Sequence, residues 1–558
     1  IELLKGRVVL PEIILTKPHI LLEKSPEGRP NWEIQTDEAD PEDRTDFPII
    51  ERLRIEDGRL GYLDLIKDTY IVATFATTKG QSSAEESTQL QAKGKLNGRP
   101  LTINLNAGPL VALRQAEIPY PLTLEAQAGE TLAKIEGTFM QPLQFKGFDL
   151  NFVMKGPNPE QLSQMLGVPL PSLPPYQLKG ELSHHEKMWQ IKDMNGRVGD
   201  SDLAGNVSVD MSKEPYFIKA NLISDKIDLD DFGPIVGLAP DTGPGETASS
   251  AQEKEAKKEE ESAFLLPHES ISFEKLQNMN VNLKLRSKHV ESKLPVDDLN
   301  LQVIIKEGHL VLAPLDFGVA AGNVRSRLEF DTRNQPATSK IETEIRHVRL
   351  SEILSRFEIA DESAGLIGGQ GAFWFKGDSI AEMLASADGG LLMIMTGGHL
   401  DDLLVELAGL DIGEALVALF GDDSDAKINC AFADLPTKDG IMTMDSFIVD
   451  TPDSVFMGKG SIDFNKEQLD LIIDPKPKDL SIFSARAPLH IDGSFKEPAF
   501  IPGASAILRG AASLALLPSA PIVSLYAFLQ EEKYDKEGKA EENVHCSGLV
   551  NAINEARE

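Results

Sequence analysis

Val281-Asn282-Leu283-Lys284-Leu285-Arg286 and, shortly after it, Leu299-Asn300-Leu301-Gln302-Val303-Ile304-Ile305 decide how this chain is read. Apolar and polar residues alternate. Successive side chains of a strand point to opposite faces, so each run gives a sheet one aliphatic face and one polar face. Leu283, Leu285, Leu301 and Val303 fall on the apolar side. The pattern recurs upstream at Leu101-Thr102-Ile103-Asn104-Leu105, which places Leu101, Ile103 and Leu105 together. Downstream it recurs through Leu328 and Phe330, through Ile341 and Ile345 with Thr343 as a polar interruption, and through Leu469, Leu471 and Ile473.

Working outward, most of the chain repeats this style, punctuated by Gly, Asp and Pro. Long helical stretches are missing from most of the first 340 residues, which disfavours a doubly wound α/β enzyme. The expectation is a mostly β protein built on an antiparallel meander, with a few short helices mainly in the C-terminal half. Polar-Gly pairs recur at Asp57-Gly58, Asn195-Gly196, Glu307-Gly308 and Asp439-Gly440, and further glycines follow at Gly205, Gly322 and Gly460. The pairs read as hairpin turns, because glycine accepts the positive φ such turns require. They are compatible with a generic meander or with stacked multi-strand units that share one face.

Three stretches break the pattern. Asp241 to Ser262 is rich in Glu, Lys, Ala, Gly and Ser, lacks a large apolar residue, and reads as a disordered, solvated acidic loop that could be deleted. Gln35 to Asp46 is a shorter acidic loop. Between Ile380 and Gly421 the period turns helical. Ser379 caps a short helix bearing Ile380, Met383 and Leu384, and a second helix opens at Asp401 and runs to Phe420. The expected regions are therefore 1–240, 241–262, 263–367 and 368–558.

The 558 residues suffice for three or four domains or one long repetitive one. A net charge of −33 excludes a nucleic-acid binder, since phosphate binding needs clustered Lys and Arg. No catalytic residue or cofactor site emerges: there is no Walker A run, no G-x-S-x-G elbow and no H-E-x-x-H. No metal site is expected either. His184 and His185 are adjacent and point to opposite faces of a strand, and Asp422-Asp423-Ser424-Asp425 lacks the turn Gly and terminal Glu of a calcium loop. Cys430 and Cys546 could form a disulfide in an oxidising compartment or remain two free thiols. The apolar run Ala511 to Leu529 is broken by Pro518 and Pro521 and reads as a buried segment, not a membrane span. Ile1 opens inside an apolar run, which reads as a truncated N-terminus.

Pro18-His19-Ile20-Leu21-Leu22-Glu23 followed by Gly28-Arg29-Pro30-Asn31-Trp32 resembles the N-terminal signature of AsmA-family proteins. So do Gly371-Ala372-Phe373-Trp374-Phe375-Lys376-Gly377, Ile428-Asn429-Cys430-Ala431-Phe432, Gly458-Lys459-Gly460-Ser461-Ile462-Asp463 and Pro488-Leu489-His490-Ile491-Asp492-Gly493 for the family's C-terminal region. The resemblance is strong from Gly368 to Cys546, moderate at the start, and one of style between. It implies a Gram-negative periplasmic protein, held in the inner membrane by an N-terminal helix absent from this chain. It also implies a long curled β-sheet whose apolar groove carries glycerophospholipid acyl chains toward the outer membrane, with no enzymatic activity. The alternative is a periplasmic scaffold or assembly factor for outer-membrane protein or lipopolysaccharide biogenesis, acting through outer-membrane or periplasmic proteins. On the residues alone, an open groove and a sheet folded on itself as a sandwich both remain possible.

Overall fold

The structure is a computed structural model. It describes residues 9–32 and 49–502, except 79, 81–84, 115–117, 143–145, 164–169, 171, 237–239, 241, 272–276, 278, 293–294, 355–364, 399–426, 453 and 478–487. It is 64% strand and 9% helix among the described residues. The chain divides into two compact units, 1–221 with 245–249 and 222–244 with 250–558.

In the first unit, ten strands follow one another antiparallel from Gly58–Asp64, Thr69–Thr77, Thr88–Leu96 and Arg99–Ala107 through Tyr120–Ala128, Thr131–Gln141 and Lys146–Gly156 to Tyr176–His185, Met188–Val198 and Ser201–Asp210. The opening strands correct the purely antiparallel expectation. His19–Lys24 lies parallel to Gly58–Asp64, and Ile13–Thr16 lies parallel to Leu53–Glu56. Parallel neighbours cannot be joined by a tight hairpin turn and need a connection of a dozen residues or more. The Gly-x-x-Asn-Trp turn is held by Asn31, whose side chain accepts from the Glu23 amide at 3.0 Å and donates to the Leu21 carbonyl at 3.0 Å.

In the second unit, Met279–Glu291, Val296–Lys306, His309–Val319, Gly322–Asp331, Thr338–Arg349, Leu366–Lys376, Asp388–Thr396 and Cys430–Lys438 run antiparallel in order. Ser446–Asp450, Ser454–Asp463, Gln468–Pro477, Leu489–Ser494 and Pro498–Pro502 continue the series. Glu307-Gly308 and Asp439-Gly440 carry positive φ at both residues, as two-residue hairpin turns require. Asn195-Gly196 does not turn. It lies inside Met188–Val198, and Gly460 likewise lies inside Ser454–Asp463. At Gly460, with φ +127°, a Cβ would come within 2.1 Å of the Asp470 carbonyl oxygen. Close approach of the neighbouring strand, not a turn, demands glycine there.

Helices are short. Ile380–Ala385 forms where expected, its amide at Glu382 donating to the Ser379 side chain at 3.2 Å, with Ala381 and Met383 buried. The solvated loop expected over 241–262 is instead helical at Ser250–Glu260, with Gln252 and Ala256 buried one turn apart. Ala, Glu, Gln and Lys are strong helix formers and need no large apolar anchor to take up a helix. The expected helix from Asp401 to Phe420, the loop from Gln35 to Asp46, the Asp422 to Asp425 cluster and the run from Ala511 to Leu529 lie outside the described residues.

Beyond Glu260 the chain forms a strap tied to distant turns of its own unit. The Leu265 and Leu266 amides donate to Glu467 Oε2 at 2.6 and 3.2 Å, and His268 Nε2 lies 3.1 Å from Glu467 Oε1. Lys496 donates to the carbonyls of Glu260 and Ser262. The Ala381 amide donates to the Pro267 carbonyl and the Ile271 amide to that of Asp378.

The end of this unit also holds a sealed core of Ile428, Phe456 and Leu489, with Met395, Val449, Ile473, Ile491 and Phe500 against it. Phe456 is 1% exposed. Phe456→Ala should therefore cost about 3–5 kcal/mol through lost burial and a residual cavity, read as a drop in the denaturant midpoint.

Candidate functional site

The strands of the first unit align their apolar side chains into rows that cross the sheet. Ala73, Ala92, Ile103, Ala126, Ala133 and Met154 are successive cross-strand partners. Beside them run Phe75, Leu90, Leu105, Leu124, Ile135 and Phe152. Leu101 stands on the other flank, between Gly94 and Ala128. A further row joins Leu122, Gly137, Leu150, Leu182, Ile191 and Val207. Rows on one face repeat every second residue, about 6.8 Å apart along the strand. Of these, Leu101, Ile103 and Leu105 are the residues expected from sequence. The rest carry the same alternation, as in Leu122-Thr123-Leu124-Glu125-Ala126.

The second unit repeats the arrangement. Leu283 pairs with Val303, which continues through Leu312 and Leu328 to Ile341. Leu285 pairs with Leu301, and that row passes through Leu315 to Ser326 and Thr343. Ser326 and Thr343 share a hydrogen bond of 2.9 Å, which satisfies the polar interruption without breaking the face. Phe330 faces Leu310 one row along. Leu469 faces Ile462, Leu471 lies between Gly460 and Ile491, and Ile473 lies between Gly458 and Leu489.

Burial separates these residues into two kinds. Leu101 and Leu471 are buried, at 4% and 7% exposure. Ile103, Leu105, Leu283, Leu285, Leu301, Val303, Leu328, Phe330, Leu469 and Ile473 are half-buried. Their neighbours on the other face, Thr102, Asn104, Lys284, Arg286 and Asp470, are exposed. In the first unit Ala73, Ala92, Leu150 and Phe152 of these rows are buried, whereas the row Leu283, Val303, Leu312, Leu328 and Ile341 is half-buried throughout, which is not how a sealed core looks, because core side chains sit at close-packed density. Ile473 differs, since it packs on the sealed cluster around Phe456.

A cavity of about 310 Å³ opens on the polar face of the first unit among Thr102, Asn104, Glu125, Gln127, Lys134 and Lys155. Leu132 and Val153 line it too, so the charged groups stand among exposed aliphatic ones. On the apolar face, polar groups sit at the borders. Tyr120 donates to the Gly108 carbonyl at 2.8 Å, and burial pushes both its phenol and that of Tyr176 up. His184 is buried and His185 exposed, on opposite faces as expected. Among the described residues no group of three or more His, Cys, Asp or Glu could hold a metal, and no helix is long and apolar enough to cross a membrane. Cys430 is buried, and Cys546 lies outside the described residues.

No solved structure matches this chain. It is 28% identical to the AsmA family protein YhjG of Escherichia coli (strain K12), over 94% of this chain and 81% of that protein. The AsmA family profile matches residues 67–447, taking in the middle of the chain, where the sequence resemblance is one of style. With most of its rows inside a profile that spans well over half its length, the chain belongs to the AsmA family.

Proposed function

We propose that the protein is a non-enzymatic carrier that moves glycerophospholipid between the inner and outer membranes along its apolar rows, from a periplasmic location. Membership of the AsmA family agrees with a periplasmic or membrane-associated role. The observation that supports the finer reading is the run of half-buried aliphatic side chains in continuous cross-strand register, such as Leu283, Val303, Leu312, Leu328 and Ile341. Such a face gains from any apolar cover. Each acyl methylene it shields contributes about 0.8 kcal/mol. An aliphatic row with few polar anchors holds a chain without fixing its position, which suits sliding.

The scaffold reading has its own observation. Leu21, Leu65, Ile66 and Tyr70 stand more than half exposed in the first unit, a group of the kind that marks contact surfaces. Lipid extraction and mass spectrometry of protein purified without detergent separates the two. The carrier reading expects co-purifying glycerophospholipid, lost on organic extraction and regained from vesicles. Protein that stays lipid-free after exposure to vesicles favours the scaffold.

A further inference from the structure

The apolar face of the first unit ends in a row unlike the others. Phe139, Phe148, His184 and Trp189 are successive cross-strand partners, one row (two residues) beyond Leu150, Leu182 and Ile191. Their rings touch in sequence. Phe148 and His184 have centroids 5.1 Å apart at 24°, and His184 and Trp189 are 4.5 Å apart. Phe139 lies 5.1 Å from Phe148. Resting on the carrier reading above, we propose that this rim row seats the phosphate end of a glycerophospholipid, whose acyl chains lie over Leu150, Leu182 and Ile191.

Three observations carry the assignment. Aromatic rings with a polar tip belong where an apolar surface meets water, because one end is dry and the other wet. The row lies next to the turn Glu186-Lys187, whose two residues are exposed; Phe139 and Trp189 at its ends are half-buried, and Phe148 between them is 5% exposed. Next, His184 is 9% exposed and its Nδ1 is buried with no hydrogen-bond partner. A buried nitrogen left unpaired is costly, and an anionic oxygen would satisfy it. Tyr120, in the same row, already spends its hydroxyl on Gly108. Third, Lys187 in that turn, beside Glu186, is a cation within reach of a phosphate in a chain whose net charge is −33. The apolar rows beside it, spaced by about 6.8 Å, leave width for two acyl chains side by side. That favours a two-chain phospholipid over a free fatty acid.

Trp189 reports on the site directly. The chain has three tryptophans, and Trp32 and Trp374 are exposed, so Trp32→Phe with Trp374→Phe leaves Trp189 alone in a folded protein. The probe is phosphatidylglycerol carrying bromine near either the carboxyl or the methyl end of its acyl chains. Bromine near the carboxyl end should quench Trp189 more strongly. Equal or reversed quenching, with lipid recovered on the protein, overturns the rim assignment and leaves the carrier reading standing. No recovered lipid and no quenching from either probe overturns both. His184→Phe keeps the stack and removes the nitrogen, and should weaken phosphatidylglycerol binding about tenfold, the worth of one charge-assisted hydrogen bond. Unchanged affinity in that variant, or a brominated fatty acid that binds as tightly with the same dependence on His184, also overturns it.

Discussion

Leu471→Arg should fail to give a cooperatively folded protein, while Leu301→Arg should fold and lose its lipid. Both residues look alike in sequence, each an apolar position in strict alternation. Leu471 is 7% exposed and faces Gly460 and Ile491, on strands that also build the sealed core around Phe456. An arginine there would stand beside Ile491, which packs on that core, at a cost of roughly 4 kcal/mol or more, enough to consume much of a domain's stability. Leu301 is half-buried between Leu285 and Leu315; its strands also carry Val296 and Phe317 to the core of Val319, Ala320 and Val348, but its own row does not enter that core. Its arginine can extend toward solvent, so the stability cost should stay near 1–2 kcal/mol. The charge would then stand in the path of acyl chains, and lipid recovered with the protein should fall several-fold. Circular dichroism melts and lipid extraction of both variants are the check. Outright unfolding of Leu301→Arg would make its row an ordinary core. Full lipid content in a folded Leu301→Arg would remove that row from the path.

The second large effect is at Glu467. Its carboxylate gathers two amides and an imidazole from a segment about 200 residues earlier in the chain. The side chain is 5% exposed. Glu467→Ala removes all three bonds at once and should release the strap at a cost of about 2–3 kcal/mol. Phe264 is 48% exposed on that strap. Chymotrypsin cleavage after Phe264 should therefore accelerate by about 30- to 100-fold, as local opening becomes easier by that amount. Glu467→Gln keeps an acceptor for the amides and should fall between the two. If cleavage in Glu467→Ala proceeds at the parent rate, the strap is held by Lys496 and the backbone bonds to Asp378 and Ala381 instead.

How much of this was legible beforehand follows from what each feature depends on. The strands at Leu101–Leu105 and Val281–Arg286, the Ser379 cap and the Glu307-Gly308 and Asp439-Gly440 turns depend on periodicity and local backbone preference. A few consecutive residues contain all of that information. The helix at Ser250–Glu260 was also local, and was missed because the absence of large apolar residues outweighed helix propensity in the reading. Asn195-Gly196 was misread because a glycine needed for a turn and one needed for close strand approach look the same in sequence.

The sequence by itself determined that each strand has an aliphatic face, and on which residues. Only the tertiary structure decided which stretches of that face are sealed and which stay partly open. Coverage depends on what other elements of the unit bring to a face, so Leu301 and Leu471 part company only once neighbours such as Ile491 are in place. The strap is of the same kind, since nothing near Leu265 announces a carboxylate at Glu467. So is the aromatic rim. His184 beside His185 signals only that no metal is shared. Its place beside Phe148 and Trp189 arises from the register of three strands, and register is a property of the assembled sheet, not of any one strand.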